Sequence, residues 1–206
     1  MLPTTSLRAV TAPETLGSFQ RTSFGKSDGA PDDILSLAQT SDGFLWMAGT
    51  KGLVRFDGVA FKAFKPLPGE RFMQAQLGRL FPAEHGGLWI QNEDAGPTLL
   101  KDGHLIHFGA KEGAVGVKQE FFADPHGMVW AVCESAVMYF KAGRWHVVLR
   151  ADLPDGRFDV AAVDGECNVW VVIRDKGVLV KPRGSAELLL KAPSADTCED
   201  LLFIGP

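Results

Sequence analysis

The stretch TSDGFLWMAGTKGLVRFDG, residues 40–58, holds two Asp-Gly pairs and one tryptophan between short apolar runs. Asp-Gly between apolar runs is typical of hairpin turns, because Gly, and often Asp, tolerates the positive φ angles that these turns need. The same polar residues beside Thr50 and Lys51 would also suit a small acid–base site or a phosphate loop. Which interpretation holds depends on whether the rest of the chain repeats the turns or the polar residues.

The turns are repeated and the polar residues are not. Tryptophans at 46, 89, 130 and 170 are spaced 43, 41 and 40 residues apart, and each closes a similar phrase: SDGFLW, EHGGLW, PHGMVW and GECNVW. A second turn follows each tryptophan about ten residues later, in FDGVAF, KDGHLI, KAGRWH and PRGSAE. A period of 40–45 residues with four strands per unit is typical of β-propeller blades.

The first unit divides into four strands over residues 34–39, 44–49, 52–58 and 59–64, with alternating apolar residues and aromatics that favour strands. Residues 17–24 read as an additional outer strand and residues 198–205 as the inner strand of a further blade. The sequence therefore predicts an all-β fold of four four-stranded propeller blades plus a partial fifth, an incomplete propeller. The predicted segments are an N-terminal extension, 1–16, and repeats at about 17–64, 65–108, 109–148, 149–191 and 192–206.

Composition narrows the functional classes. The chain has 206 residues, a net charge of −4 and 46% hydrophobic residues, and it lacks the basic cluster typical of nucleic-acid-binding proteins. The sequence contains no run of eighteen apolar residues that would indicate a membrane span, and the first twenty residues lack the apolar core of a secretory signal.

The three cysteines, Cys133, Cys167 and Cys198, form no CxxC pair. They are expected to be small buried hydrophobic residues, with a disulfide between one pair left open.

Residues 27–64 resemble the two-component-regulator propeller repeat. That repeat runs Asp-x-x-Gly-x-Leu-Trp-Ile-Gly-Thr and then Gly-Leu-x-Arg-Tyr-Asp-Gly. This chain departs from it by one extra residue before Gly49 and by a shortened Asp-Gly turn, and the later units keep the spacing more than the motif. The matching positions are Asp42, Gly43, Leu45, Trp46, Gly49, Thr50, Gly52, Leu53, Arg55, Phe56, Asp57, Gly58 and Phe61.

The resemblance implies a ligand-sensing or interaction module with no catalysis of its own. Propellers of this family form the periplasmic sensing part of bacterial receptors whose output domains are histidine kinases or diguanylate cyclases. The resemblance also implies a periplasmic location. The implied partner is a small polar ligand, an oligosaccharide or a protein, and no nucleic-acid partner is expected. Association of copies through open blade edges is a further expectation.

Candidate ligand-binding residues come from the loops that join second to third strands and outer to inner strands. In propellers, ligands commonly lie on the face where these loops gather around the channel, an argument from fold analogy. The four repeat tryptophans are expected to pack between blades, while Trp145, on a predicted outer strand, is a candidate for contact with a ligand or partner. The predicted ligand-binding residues are Thr50, Lys51, Arg71, Asn92, Glu93, Asp94, Glu134, Arg157, Arg174 and Asp175.

An enzyme is the alternative, namely a propeller lyase or hydrolase acting on a carbohydrate or a cyclic ester. It would need His104, His107 or His146 beside acids at the channel mouth. His85 and His126 are expected to be turn residues rather than metal ligands. The sequence contains no nucleophile elbow, zinc-protease motif or phosphate loop. No cofactor is predicted, and a scaffold that oligomerises through its blade edges is the third possibility.

Overall fold

A computed structural model describes residues 21–74, 76–151, 157–173 and 176–193. These residues form four separate four-stranded antiparallel sheets, each built from four strands that are consecutive along the chain. The prediction of an all-β chain with four propeller-type blades is confirmed. In blade 1 the strands are β1 Ser36–Gln39, β2 Leu45–Gly49, β3 Gly52–Phe56 and β4 Phe61–Ala63.

The later blades repeat this up-and-down order. Blade 2 has β5 Leu80–Pro82, β6 Leu88–Ile90, β7 Thr98–Lys101 and β8 His104–His107. Blade 3 has β9 Glu120–Ala123, β10 Val129–Cys133, β11 Ala136–Lys141 and β12 Arg144–Arg150. Blade 4 has β13 Phe158–Val163, β14 Val169–Ile173, β15 Gly177–Lys181 and β16 Leu189–Ala192.

The N-terminal end of the described array differs from the prediction. Residues 21–24, the described part of the outer strand predicted over 17–24, are not in a strand. Phe24 instead packs its ring against Phe56 and Phe61 at centroid distances of 5.0 and 5.5 Å. The inner strand predicted over 198–205 lies outside the described residues. So do most of the residues of the predicted partial fifth blade.

Among the described residues, three hydrophobic cores join consecutive blades. One core lies between blades 1 and 2 around Trp46 and Leu88, and a second lies between blades 2 and 3 around Trp89 and Met138. The third joins blades 3 and 4 around Trp130. Trp46, Trp89 and Trp130 thus fill the space toward the following blade, as predicted for packing residues. Val169 and Val171 of β14 belong to the core with blade 3, so Trp170 between them lies on the opposite face of blade 4.

Three of the repeat tryptophans also form a hydrogen bond to the hairpin turn that precedes them. The indole N–H of Trp130 donates to Asp124, and that of Trp170 donates to Asp164, in both cases six residues earlier. Each of these carboxylates also accepts backbone N–H groups of its own turn, so one side chain closes the hairpin and satisfies the indole N–H, which is buried at Trp130 and half-buried at Trp170. In blade 1 the acceptor for Trp46 is the hydroxyl of Thr40, at 3.2 Å.

Trp145 does not have the exposed position expected for it. It lies on outer strand β12, but it is 3% exposed and belongs to the core between blades 2 and 3. Its ring meets Trp89 edge-on at a centroid distance of 5.1 Å. The prediction that Trp145 is available to a ligand or partner is wrong, because the outer strand of blade 3 packs against the aromatic residues of blade 2.

Candidate functional site

The predicted loop residues of blade 1 are paired with acids that the sequence did not single out. The backbone N–H and the hydroxyl of Thr50 both donate to the Asp33 carboxylate. The Lys51 ammonium lies 2.9 Å from Asp32. Hydrogen bonding to Asp32 raises the pKa of Lys51, and hydrogen bonding from Thr50 lowers the pKa of Asp33. Both loop residues are therefore held against the segment just before β1.

Asn92 is not an exposed loop tip. It is 1% exposed, and its side-chain amide donates to the Gly96 carbonyl and the Thr98 hydroxyl at 2.6 and 2.9 Å. These bonds hold the loop between β6 and β7 in shape. The expectation of a solvent-facing Asn92 is wrong, because this longer loop needs an internal side chain to satisfy its buried backbone.

A mixed-charge cluster forms where the loops of three blades meet, and we call it the Lys118 cluster. Lys118 makes an ion pair with Glu93 at 2.8 Å, and its backbone N–H donates to the Asn92 carbonyl. Hydrogen bonding to Glu93 raises the pKa of Lys118, and the carboxylates of Asp94 and Glu134 add to that rise. Arg157 forms an ion pair with Glu134. The cluster comprises Glu93, Asp94, Lys118, Glu134 and Arg157, all exposed.

The structure thus brings together four of the predicted ligand-binding residues: Glu93, Asp94, Glu134 and Arg157. The sequence did not identify Lys118, since its position between two turns gave no strand or motif to place it. Arg71 lies elsewhere, beside outer strand β8, where its carbonyl oxygen accepts a hydrogen bond from His107. Arg174 and Asp175 fall outside the described residues.

The histidines considered for an enzyme lie on outer strands. His104 contacts Glu70 at 2.8 Å, His107 contacts the Thr98 hydroxyl at 2.8 Å, and His146 contacts the Lys141 carbonyl. His85 and His126 lie in hairpin turns, where they were predicted. Within the described ranges no group of three or more His, Cys, Asp or Glu side chains is arranged to hold a metal ion.

A concave site lies at the opposite end of the strands from the Lys118 cluster, between the hairpin turns of blades 1 and 2. This inter-blade cleft has a volume of about 460 Å³, within the range of small-molecule sites. The cleft is lined by blade 1 residues Asp42, Trp46, Arg55, Lys62, Ala63, Phe64 and Lys65, and by blade 2 residues His85, Gly86, Leu100, Asp102 and Gly103. None of these was a predicted ligand contact.

No protein-family model and no curated protein matches the sequence. Solved structures do match. The extracellular domain assigned to a hybrid two-component system of B. thetaiotaomicron superposes with a TM-score of 0.65 at 14% identity, over 83% of this chain and 26% of that one. One assigned to a one-component system of the same organism gives 0.53 at 18% identity, over 77% and 25%. Virginiamycin B lyase from Staphylococcus aureus gives 0.53 at 9% identity, over 75% and 54%.

At identities of 9–18%, these similarities show a shared fold. The chain spans about a quarter of the length of the two extracellular domains. The part of the chain that the structure describes includes no helix with the length and apolarity to cross a membrane. The predicted resemblance is confirmed in that domains of two-component systems share this architecture. The chain is a set of β-propeller blades, and its fold is similar to that of extracellular domains assigned to two-component systems and also to that of a lyase.

Proposed function

We propose that this chain is part of the ligand-sensing propeller of a bacterial two-component-type receptor, on the periplasmic side, with no catalysis of its own. Signalling would require an output domain, a histidine kinase or a diguanylate cyclase, supplied by other sequence. The repeat motif in residues 27–64 and the structural similarity to extracellular domains assigned to two-component systems support this proposal.

The observation that carries the proposal is the Lys118 cluster. Its charged groups come from three blades and are exposed, so each internal ion pair contributes only about 0–1 kcal/mol to stability. A polar ligand can therefore exchange these contacts for its own at small cost. Alternating acids and cations in one place suit a small polar ligand or an oligosaccharide, with a protein partner as the other candidate.

A binding screen with matched variants tests the location of the site. We expect a hit from a panel of neutral and acidic oligosaccharides to lose affinity about ten-fold in Glu93→Gln or Glu134→Gln, because each loses a charge-assisted hydrogen bond. Glu84→Gln, in an exposed turn of blade 2, is the control. Titration calorimetry measures the effect. Hits that bind all three variants equally would place the ligand elsewhere.

The enzyme alternative has a direct assay. Similarity to a propeller lyase supports it at the level of fold, and the His104–Glu70 contact is a histidine–carboxylate pair, although it lies on an outer strand. Incubation with simple lactones and cyclic depsipeptides decides between the two. Turnover that disappears in His104→Gln would overturn the proposal of a non-catalytic sensor.

The scaffold alternative depends on the apolar ends of the array. Leu35 and Leu37 beside and in β1, and Leu190 in β16, are more than half exposed, and open blade edges favour strand pairing. Light scattering at micromolar protein concentration measures the mass in solution. A concentration-dependent oligomer that is lost in Leu37→Lys would favour the scaffold.

A further inference from the structure

In each blade the repeat tryptophan has a cross-strand neighbour on the third strand, which in turn faces one residue of the outer strand. Blades 2, 3 and 4 place residues without a permanent charge at both positions. Blade 1 differs, because both of its positions carry cations. The four rows are Trp46–Arg55–Lys62, Trp89–Leu99–Ile106, Trp130–Tyr139–His146 and Trp170–Val180–Leu189.

The cationic row of blade 1 has an energetic cost. Like charges directly opposite each other on neighbouring strands destabilise a sheet. Lys62 is balanced by Asp57 at 3.5 Å. Arg55 has no ion pair or hydrogen bond with any other described residue, and it rests on aromatic faces, 4.0 Å from the centroid of Phe44 and 5.9 Å from that of Trp46.

This arrangement leaves the guanidinium of Arg55 oriented but without an anion. Its planar set of five donors matches an oxyanion with two parallel hydrogen bonds, which an ammonium group does not match. Arg55 lines the inter-blade cleft, and Lys65, a second cation without a carboxylate partner in the described ranges, lines it too. Three cations therefore line one concave space, and two of them, Arg55 and Lys65, have no carboxylate partner among the described residues.

The wall of the cleft that blade 2 forms is fixed against blade 1, and it carries a hydrogen-bond acceptor, the carboxylate of Asp102. The backbone N–H of Gly86 donates to the Ser41 hydroxyl at 3.0 Å, which fixes the blade 2 turn against blade 1. A Cβ at Gly86 would come within 3.0 Å of Asp42, so the two turns are in close contact there. Asp42 of blade 1 already accepts a hydrogen bond of 2.5 Å from the Thr40 hydroxyl. Asp102 of blade 2 is an exposed turn residue in the lining of the cleft.

We propose that the inter-blade cleft binds a small hydroxylated molecule that carries one oxyanion group, a carboxylate or a phosphate. The oxyanion lies between Arg55 and Lys65, and Asp102 accepts hydrogen bonds from hydroxyl groups on the other side. This site is separate from the Lys118 cluster, which lies at the other end of the strands. It does not depend on the sensor role proposed above.

Binding is measured with three probes: gluconate, glycerol 3-phosphate and neutral glycerol. We expect either anion, or both, to give a saturable shift of the Trp46 indole N–H signal in ¹⁵N–¹H spectra, while glycerol binds at least about ten-fold more weakly. The stronger of the two anions identifies the oxyanion. A shift confined to other indole signals, or equal binding of glycerol, would overturn the proposal.

Two variants and one control test the residues. Arg55→Leu gives blade 1 the residue that blade 2 has in this row, so we expect an unchanged midpoint of thermal unfolding and about ten-fold weaker anion binding. Lys65→Gln changes an exposed side chain and should weaken binding a few-fold even if Arg55→Leu folds poorly. Arg183→Leu, in the β15–β16 turn, should bind like the unchanged protein. Equal weakening in Arg183→Leu, or none in Lys65→Gln, would contradict the site.

Discussion

The indole N–H of Trp130 donates a hydrogen bond of 3.0 Å to Asp124, which stands six residues earlier at the start of the same hairpin. The same carboxylate accepts the backbone N–H groups of His126 and Met128 at 2.9 Å. One buried side chain therefore links the turn geometry to the packing between blades 3 and 4. Blade 3 therefore depends on this pair as well as on the size of the tryptophan.

Asp124→Ala should destabilise the chain by about 3 kcal/mol, because it removes hydrogen bonds to a charged acceptor and leaves the Trp130 N–H buried without a partner. Urea unfolding measures the loss. Glu84→Gln, in the corresponding turn of blade 2 where the tryptophan has no such acid, should stay within about 0.5 kcal/mol of the unchanged protein. Equal stability of the two variants would contradict the role of Asp124.

Trp145→Phe and Trp130→Phe should differ although the substitution is the same. The buried N–H of Trp145 has no hydrogen-bond partner among the described residues, so its loss removes an unsatisfied donor. Trp130→Phe instead breaks a bond to a carboxylate. We expect the Trp130 variant to lose about 1–3 kcal/mol more stability in urea. The reverse order would show that Trp145 acts through more than its ring.

Acid should reduce the contribution of Asp164. Burial raises the pKa of this carboxyl, but hydrogen bonds from Trp170, Asn168 and Glu166 lower it more, and the net pKa lies below the ordinary 3.8. A lowered pKa in the folded chain contributes stability that is complete above pH 3.8 and is lost as pH falls through the folded value. The stability difference between the unchanged protein and Asp164→Asn should therefore shrink below that pH. A difference that stays constant into stronger acid would contradict this.

Gly113→Ala should be far more harmful than Gly103→Ala. Both glycines have positive φ, 85° and 82°. A Cβ at Gly113 would overlap the carbonyl of Trp145, whereas one at Gly103 meets nothing within 4 Å. Backbone strain alone costs about 1–2 kcal/mol, so we expect that loss in Gly103→Ala and a several-fold larger one in Gly113→Ala. Similar thermal unfolding midpoints would mean that the chain moves aside at Gly113.

The spacing of the tryptophans predicted the four sheets because a blade is a local structure, set by consecutive strands and short turns. The acceptors of the indole groups also had a signal in the sequence, an Asp or Thr six residues before Trp46, Trp130 and Trp170, with Ala83 at that position in blade 2. That regularity becomes informative only when the turn is known to bend back over the ring.

The candidate sites were harder to predict, because they depend on contacts between blades. Lys118 lies beside Glu93 of blade 2 and Glu134 of blade 3, and no sequence spacing links the three residues. Trp145 was misplaced for the same reason, since the partner that buries it, Trp89, lies 56 residues earlier. Arg55 matched the repeat motif, but its isolation from carboxylates is visible only in three dimensions.

Because the described blades are joined by three separate cores, the stability of each sheet depends on its own hydrogen bonds and on the core, or seam, that it shares with the neighbouring blade. A molecule bound at the seam of blades 1 and 2 would slow amide hydrogen exchange in β1–β8 and leave exchange in β13–β16 nearly unchanged. Binding at that seam would therefore appear as a gradient of hydrogen-exchange protection along the array of blades, without any change in the shape of a single sheet.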